Sequence, residues 1–210
     1  MNSRTISTGR HTSFGTSGLS FVDKFGTWLS RRSIIRELVG RRDLSVLELG
    51  CGFAARNLFA IEDQASSLVA VDFNLSDAVK HHPKFVAFES NIDGALPQIA
   101  NRKFDVILLI SVLEHLEDPL RILIESKKIL RPGGELLVSV PTWLGKIFLE
   151  YAAFDLKLAP KEEMDDHKMY YDKRDLWPVL VKAGFLPSNL KLRYYKFRLN
   201  LFASARNGML

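Results

Sequence analysis

The fold can be inferred from the stretch Val46-Leu47-Glu48-Leu49-Gly50-Cys51-Gly52, in which a short apolar segment ends in an acid and two glycines. An apolar segment of this length is typical of a buried strand. Glycines directly after it allow a tight turn in which the backbone approaches a ligand closely. The N–H groups of such a turn, and of the helix that follows it, point toward that ligand. The stretch therefore predicts a binding turn between a first strand and a helix.

Strand and helix patterns alternate along the rest of the chain. Apolar runs predict strands over 46–49, 68–71, 85–88, 104–110 and 136–140, and residues 190–203 would supply the last two strands. Helix patterns cover 21–39, 54–61, 77–82, 119–130 and 172–184, whereas 90–103, with Gly94 and Pro97, is predicted to be a loop. This order favours an α/β fold with a doubly wound, mostly parallel sheet. The most apolar run, 104–110, is expected at its centre.

Composition limits the class of protein. The 210 residues carry a formal net charge of +5 and a single cysteine, which excludes an internal disulfide. No run approaches the roughly 20 apolar residues of a membrane span. Residues 1–20 contain Ser, Thr and Gly but no acid, and we expect a disordered tail there, followed by one domain over 21–210.

We expect a cytoplasmic protein. The arginines between 31 and 42 fit either a solvated helix face or a patch for a polyanion.

Two carboxylates flank the glycine turn. Glu48 stands two residues before Gly50, and Asp72 ends the next predicted strand, where a carboxylate can accept both hydroxyls of a ribose. A nicotinamide dinucleotide also uses such glycines and an acid about 20 residues further on. Its pyrophosphate, however, would face Glu48 in a partly dry crevice. S-adenosylmethionine carries an ammonium and a sulfonium, so the charge of Glu48 favours it over the dinucleotide.

Four ordered motifs resemble those of class I S-adenosylmethionine-dependent methyltransferases of the small-molecule type, such as the enzymes of ubiquinone and menaquinone biosynthesis. They are Glu48-Leu49-Gly50-Cys51-Gly52, Val71-Asp72-Phe73, Phe104-Asp105-Val106-Ile107 with Val112-Leu113-Glu114-His115-Leu116, and Leu130-Arg131-Pro132-Gly133-Gly134-Glu135-Leu136. The resemblance implies a Rossmann-like, seven-stranded sheet whose last strand is antiparallel. It also implies S-adenosyl-L-methionine as the cofactor.

The resemblance further implies which residues contact the cofactor. They are Glu48, Gly50, Cys51 and Gly52 at the methionine end, Asp72 at the ribose, Phe73, Asn91 and Ile92 around the adenine, and Ser111 and Leu113 at the exit of the fourth strand. Ala54 departs from the pattern, because many members have a third glycine there. This exchange of one small residue for another should cost little.

Two histidines are candidates for a general base. Methyl transfer needs alignment of the reactants, and a base is needed only when the acceptor must first lose a proton. His115 follows the fourth strand, and His167 lies in the segment 142–170, which we expect to be a lid or a substrate-binding insertion. In quinone O-methyltransferases, Glu114 and His115 would correspond to metal ligands. Ser111 departs from that acidic pattern, so we expect no metal here.

The function that we expect is methyl transfer to a small molecule, on oxygen, with a quinone precursor, a sugar or a lipid-linked intermediate as acceptor. We expect no nucleic-acid partner. An RNA methyltransferase and a non-catalytic S-adenosylmethionine-binding protein are the alternatives. A stripe at helical spacing, formed by Trp143, Ile147, Tyr151, Phe154 and Leu158, fits core packing, a lid over the acceptor or contact with a membrane surface.

Overall fold

A computed structural model describes residues 14–15, 21–154 and 168–208, with 21–23 and 149–154 described by their backbone alone. The strands are β1 (Leu44–Leu49), β2 (Ala65–Asp72), β3 (Phe85–Glu89), β4 (Phe104–Ile110), β5 (Leu130–Pro141), β6 (Leu190–Tyr195) and β7 (Asn200–Arg206). The helices are α1 (Phe21–Glu37), α2 (Arg56–Ala60), α3 (Asp77–Lys80), α4 (Ile92–Ile99), α5 (Pro119–Ile129), α6 (Trp143–Phe154) and α7 (Lys173–Lys182).

The strands form one sheet in the order β3-β2-β1-β4-β5-β7-β6. The pairs from β3 through β5 are parallel, and β7 runs antiparallel to both of its neighbours. β4 is the middle strand, as its uninterrupted apolar sequence predicted. The predicted doubly wound α/β fold with an antiparallel last strand is confirmed.

Helices cover both faces of the sheet, because its strands are apolar on both sides. Successive side chains of a strand point to opposite faces. In β4, Ile107 and Leu109 belong to the core beneath α4, α5 and α7, while Val106, Leu108 and Ile110 belong to the core beneath α1, α2 and α3. Because β1, β2 and β4 are parallel, their carboxyl ends meet at one edge of the sheet, where the glycine turn and Asp72 lie.

The prediction of a loop over 90–103 is wrong, since this segment contains α4. Its cap is Asn91, whose Oδ1 accepts a 2.7 Å hydrogen bond from the Gly94 N–H. The apolar residues Ala95, Leu96 and Ile99 follow helical spacing and are buried against the sheet. Gly94 and Pro97 therefore led to a loop prediction for a segment that forms an amphipathic helix, which is stabilised by its cap and its packing.

The apolar face predicted for the first helix is also partly wrong. Ile34 and Leu38 are fully buried, but Phe25 and Trp28 are exposed and stack on each other with ring centroids 5.8 Å apart. At about 100° per residue, Phe25 lies on the opposite side of the helix from Ile34. The apolar residues of α1 thus form two faces, and only one of them covers the sheet.

Several element ends differ from the sequence prediction. α2 begins at Arg56 because Ala55, with φ of 42°, is left-handed and outside the helix. α5 ends at Ile129, and β5 already begins at Leu130. The pairing of β5 with β4 is irregular just after Leu130, where the chain runs through the Pro132-Gly133-Gly134 segment.

The helix predicted from the aromatic stripe is present as α6, but core packing is wrong for two of its members. Trp143 is 40% exposed and Ile147 is 62% exposed. The side chains of Tyr151 and Phe154 and the whole of Leu158 lie outside the described residues, so a lid or a membrane contact stays a prediction. In the part of the chain that the structure describes, no helix has the length and apolarity needed to cross a membrane.

Candidate functional site

The glycine turn after β1 requires its glycines. Gly50 and Gly52 have φ of 74° and 73°, a left-handed conformation that L side chains rarely adopt. A Cβ atom added to Gly50 would lie 2.5 Å from Cγ2 of Val112, and one added to Gly52 would lie 3.2 Å from the backbone oxygen of Phe14. The N–H groups of Gly50 and Cys51 donate to the Val71 oxygen at 2.8 and 3.1 Å. The turn is therefore anchored to the end of β2.

Asp72 fixes the other side of this turn. Its Oδ2 accepts a 2.6 Å hydrogen bond from the Gly52 N–H, and its Oδ1 accepts a 2.8 Å bond from the Phe73 N–H. The residue is buried. The carboxylate thus joins the end of β2 to the glycine turn, which is the arrangement expected of two neighbouring parallel strands that end at a common edge.

Glu48 is completely buried behind the turn. Its Oε1 accepts a 2.7 Å hydrogen bond from Nδ2 of Asn57, while its Oε2 has no hydrogen-bond partner among the described residues. Burial raises the pKa of Glu48 to about 8, against an opposing effect of the Asn57 hydrogen bond. The carboxyl group is therefore mainly protonated at pH 7. The sequence argument that its negative charge selects a cationic cofactor is weakened by this burial.

A cavity of about 470 Å³ opens beside the glycine turn. This volume lies in the range of small-molecule sites, about 300–1,000 Å³. Its walls come from the glycine turn, the first half of α1, the exit of β4, the start of α6 and the turn between β6 and β7. Among the predicted cofactor residues, those that line it are Gly50, Cys51, Gly52 and Ser111.

The remaining predicted cofactor residues do not line the cavity. Phe73 is exposed just after β2, Asn91 caps α4 and Ile92 begins that helix. Leu113 is fully buried in the apolar core. Asp72 is the last residue of β2, and the other four lie just beyond the carboxyl ends of β2, β3 and β4.

Of the two histidines predicted as general bases, the structure describes only His115. His115 is half-buried in a short 3₁₀ turn after β4 and lines the cavity, and its backbone N–H donates to the Val112 oxygen at 3.0 Å. His167 lies outside the described residues. Within the described ranges, no three His, Cys, Asp or Glu side chains cluster in a way that could hold a metal ion.

Several residues that line the cavity were not predicted to bind a ligand there, and Glu114 was considered only as a possible metal ligand. Glu114 is buried on the cavity wall, and burial raises the pKa of its carboxyl group to about 8. Lys196 and Phe197 reach the cavity from the turn between β6 and β7, and Phe14 reaches it from a segment predicted to be disordered. Neither Lys196 nor Phe197 is a residue type that predicts a tight turn, so the sequence carried no local signal for them.

Comparison with known proteins identifies the family. A family model described as a methyltransferase domain matches residues 22–186. A ubiquinone biosynthesis O-methyltransferase of Dinoroseobacter shibae is 30% identical over 158 residues, which cover 71% of this chain and 63% of that protein. A thiol S-methyltransferase of Mus musculus is 31% identical over 113 residues, which cover 50% of this chain and 46% of that protein. The chain spans less than two thirds of either relative.

Solved structures support the fold. A magnesium protoporphyrin IX methyltransferase from Synechocystis, with bound SAH, aligns with a TM-score of 0.63 at 18% identity, covering 93% of this chain and 91% of that one. An S-adenosylmethionine-dependent methyltransferase from Archaeoglobus fulgidus aligns with a TM-score of 0.61 at 16% identity, covering 89% of this chain and all of that one. Since the family model spans most of the sequence, from α1 to the end of α7, this chain belongs to the methyltransferase domain family.

Proposed function

We propose that the protein transfers a methyl group from S-adenosyl-L-methionine to an oxygen atom of a small-molecule acceptor. The observation that carries this proposal is the glycine turn at the end of β1, which is held in a left-handed conformation by Asp72 and opens onto the cavity. Family membership supports the choice of cofactor, and the O-methyltransferase relative supports oxygen as the atom that is methylated.

The residues at this edge of the sheet fit the cofactor. Gly50 and Gly52 lack the Cβ atoms that would collide with Val112 and Phe14, so the turn stays compact, and Cys51 lies between them on the cavity wall. Glu48 keeps an oxygen that lacks a partner within the described chain, directly behind the turn. A carboxylate oxygen has two acceptor sites, so Asp72 can hold its backbone N–H groups and also accept ribose hydroxyls.

The remaining contacts follow from position along the sheet edge. Phe73, with its exposed ring, together with Asn91 and Ile92 would border the adenine, and Ser111 and Leu113 would lie beneath the reacting end. When bound, S-adenosylmethionine supplies an electrophilic methyl group on its sulfonium, and the carbon–sulfur electron pair stays on sulfur when the acceptor's lone pair bonds to the methyl carbon. The protein's own contribution is alignment, which can provide several kcal/mol.

The rest of the cavity suits an acceptor with an apolar body. Phe14, Phe25, Phe148 and Phe197 contribute aromatic surface to its walls. His115 lies on the same walls, and imidazole titrates near neutral pH, so it can take the proton of an acceptor hydroxyl. Gly145 and Phe148 of α6 line the cavity, which supports a lid role for the segment 142–170.

The experiment that tests this function measures transfer of isotopically labelled methyl from S-adenosylmethionine. Small-molecule extract and total RNA are supplied separately as acceptors. We expect label in the small-molecule fraction. The amount of label should be strongly reduced in His115→Gln and unchanged in His81→Gln. The second variant is the control, because His81 is exposed at the end of α3. Label only in RNA would overturn the proposal. Binding of S-adenosylhomocysteine without transfer to either pool would indicate a non-catalytic binding protein.

A further inference from the structure

The turn between β6 and β7 is strained. Lys196, Phe197 and Arg198 have φ of 49°, 56° and 68°, so three successive residues with side chains occupy the left-handed region. Residues with a Cβ atom rarely adopt this conformation, because the Cβ atom comes too close to the following carbonyl oxygen. Strain of this kind persists only where the surrounding structure enforces it, and it is concentrated at functional sites.

The start of α6 enforces this conformation. The Thr142 hydroxyl donates a 2.8 Å hydrogen bond to the Arg198 oxygen, and the Thr142 N–H donates a 2.9 Å bond to the Leu199 oxygen. The Leu199 oxygen also occupies space that only a glycine leaves open, because a Cβ atom added to Gly145 would lie 2.3 Å from it. The turn is therefore locked against the helix that borders the cavity.

The strained turn places Lys196 in the cavity. A Cβ atom added to Gly26 of α1 would lie 3.7 Å from Nζ of Lys196, so the ammonium group lies against the α1 wall. The same ammonium acts electrostatically on the Glu114 carboxyl group. Arg198, on the same turn, is exposed, and its guanidinium lies 5.1 Å from the Tyr194 ring centroid. The turn thus separates its two cations, and only Lys196 lines the cavity.

Glu114 is a second polar residue on the walls of the same cavity. Its Oε2 is buried, and within the described part of the chain it has no hydrogen-bond partner. Burial keeps this carboxyl group protonated at neutral pH, since its pKa is raised to about 8. A neutral acid and an ammonium on the walls of one cavity give it a net positive charge and two kinds of hydrogen-bond donor. These two groups favour a ligand atom that is negatively charged.

We propose, on the basis of the proposed function, that Lys196 binds an anionic oxygen of the methyl acceptor and that the Glu114 carboxyl group donates a second hydrogen bond to it. The acceptor class is then an oxyanion, such as a phenolate, an enolate or a carboxylate, on an apolar body. A hydroxyl acceptor reaches this state when His115 takes its proton. Lys196 is a residue that touches the substrate, and Thr142 and Gly145 are positioning residues that act through the turn.

The test uses 4-nitrophenol, whose ionised form has its own visible absorption band, with the full chain saturated with S-adenosylhomocysteine at mildly acidic pH. We expect the wild-type protein to bind the probe and to increase its ionised fraction. Lys196→Met should bind it about ten- to a hundredfold more weakly, which is the loss expected for one charge-assisted hydrogen bond. Lys196→Arg should keep the enrichment of the anion, and Arg198→Met, the matched control, should behave as wild type.

Glu114→Gln keeps a hydrogen-bond donor and should retain binding within a few-fold, whereas Glu114→Leu should weaken it. The inference is overturned if Lys196→Met binds the anion as wild type does, if Arg198→Met loses as much, or if wild type does not bind the probe. A thermal shift with S-adenosylhomocysteine, measured on the same samples, separates the two proposals. If S-adenosylhomocysteine raises Tm but the probe results contradict the inference, only the oxyanion site is wrong. If S-adenosylhomocysteine does not raise Tm, the proposed function fails as well.

Discussion

The side-chain amide of Asn57 donates a 2.7 Å hydrogen bond to Oε1 of Glu48, and this bond joins the buried acid at the end of β1 to the first turn of α2. Asn57 lines the cavity, whereas Glu48 lies behind it. The acid is thus part of the wall that supports the glycine turn. Because Glu48 is fully buried, the residues that pack around it determine its ionisation state.

The burial of Glu48 and Glu114 predicts that stability falls as pH rises from about 4.5 to about 8. In this window the folded protein keeps protons on both acids that the unfolded chain has released, so the free energy of unfolding decreases with pH. Glu48→Gln should flatten the dependence of Tm on pH, and Glu117→Gln, which changes an exposed acid, should not. A Tm that rises between pH 5 and 8 in the wild type, but not in Glu48→Gln, would contradict the raised pKa of Glu48.

Gly50→Ala should destabilise the protein more than Gly40→Ala does. Both glycines have positive φ, at 74° and 77°, so each substitution introduces backbone strain of about 1–2 kcal/mol. Only Gly50 has a close neighbour, since its added Cβ atom would meet Val112 at 2.5 Å while the space around Gly40 is open. Thermal unfolding checks the difference, and equal Tm values for the two variants would show that the turn is not tightly packed.

Asp72→Asn should weaken binding of S-adenosylhomocysteine and lower stability. An amide nitrogen would replace one of the two oxygens that accept from Gly52 and Phe73, which costs about 1–3 kcal/mol for the N–H group left without an acceptor. The ligand-induced rise in Tm should shrink by more than half. Glu89→Gln is the control, because Glu89 pairs with Asp72 in register but is exposed. An undiminished rise in Asp72→Asn would place the ribose elsewhere.

Gly145→Ala should destabilise the protein although it lies in a helix. Replacing glycine by alanine in a helix interior normally stabilises by up to about 1 kcal/mol, as expected for Gly26→Ala in α1. At Gly145 the added Cβ atom would lie 2.3 Å from the Leu199 oxygen, and at Gly26 the nearest contact is an ordinary 3.7 Å. Opposite signs of the Tm change in these two variants would support the locked turn, and a stabilised Gly145→Ala would argue against it.

The fold could be predicted from the sequence because apolar runs, glycines and acids recur in a fixed order from Val46 to Pro141. Periodicity was less informative where two faces of one helix are apolar, as with Phe25 and Ile34, and where Gly94 and Pro97 interrupt a capped helix. The glycine turn was predicted because its chemistry is local. Burial of Glu48 was not, since the charge state of an acid depends on what packs over it.

The part of the cavity that would hold the acceptor could not be predicted either, because its lining depends on tertiary packing. Phe14, Phe148 and Lys196 are far apart in the sequence and meet only through tertiary packing. Lys196 reaches the cavity through a strained turn that α6 enforces, and such strain leaves no local pattern of glycine or asparagine. His115 was a candidate because it lies in the short segment that follows the apolar run of β4.

The most direct measurement of the central claim, that the glycine turn binds S-adenosylmethionine, is thermal unfolding with and without S-adenosylhomocysteine. At about a hundred times its dissociation constant the ligand adds roughly 2.7 kcal/mol, which for a domain of this size raises Tm by roughly 5–10 °C. We predict this rise for S-adenosylhomocysteine and none for NADH. A rise with NADH and none with S-adenosylhomocysteine would contradict the account.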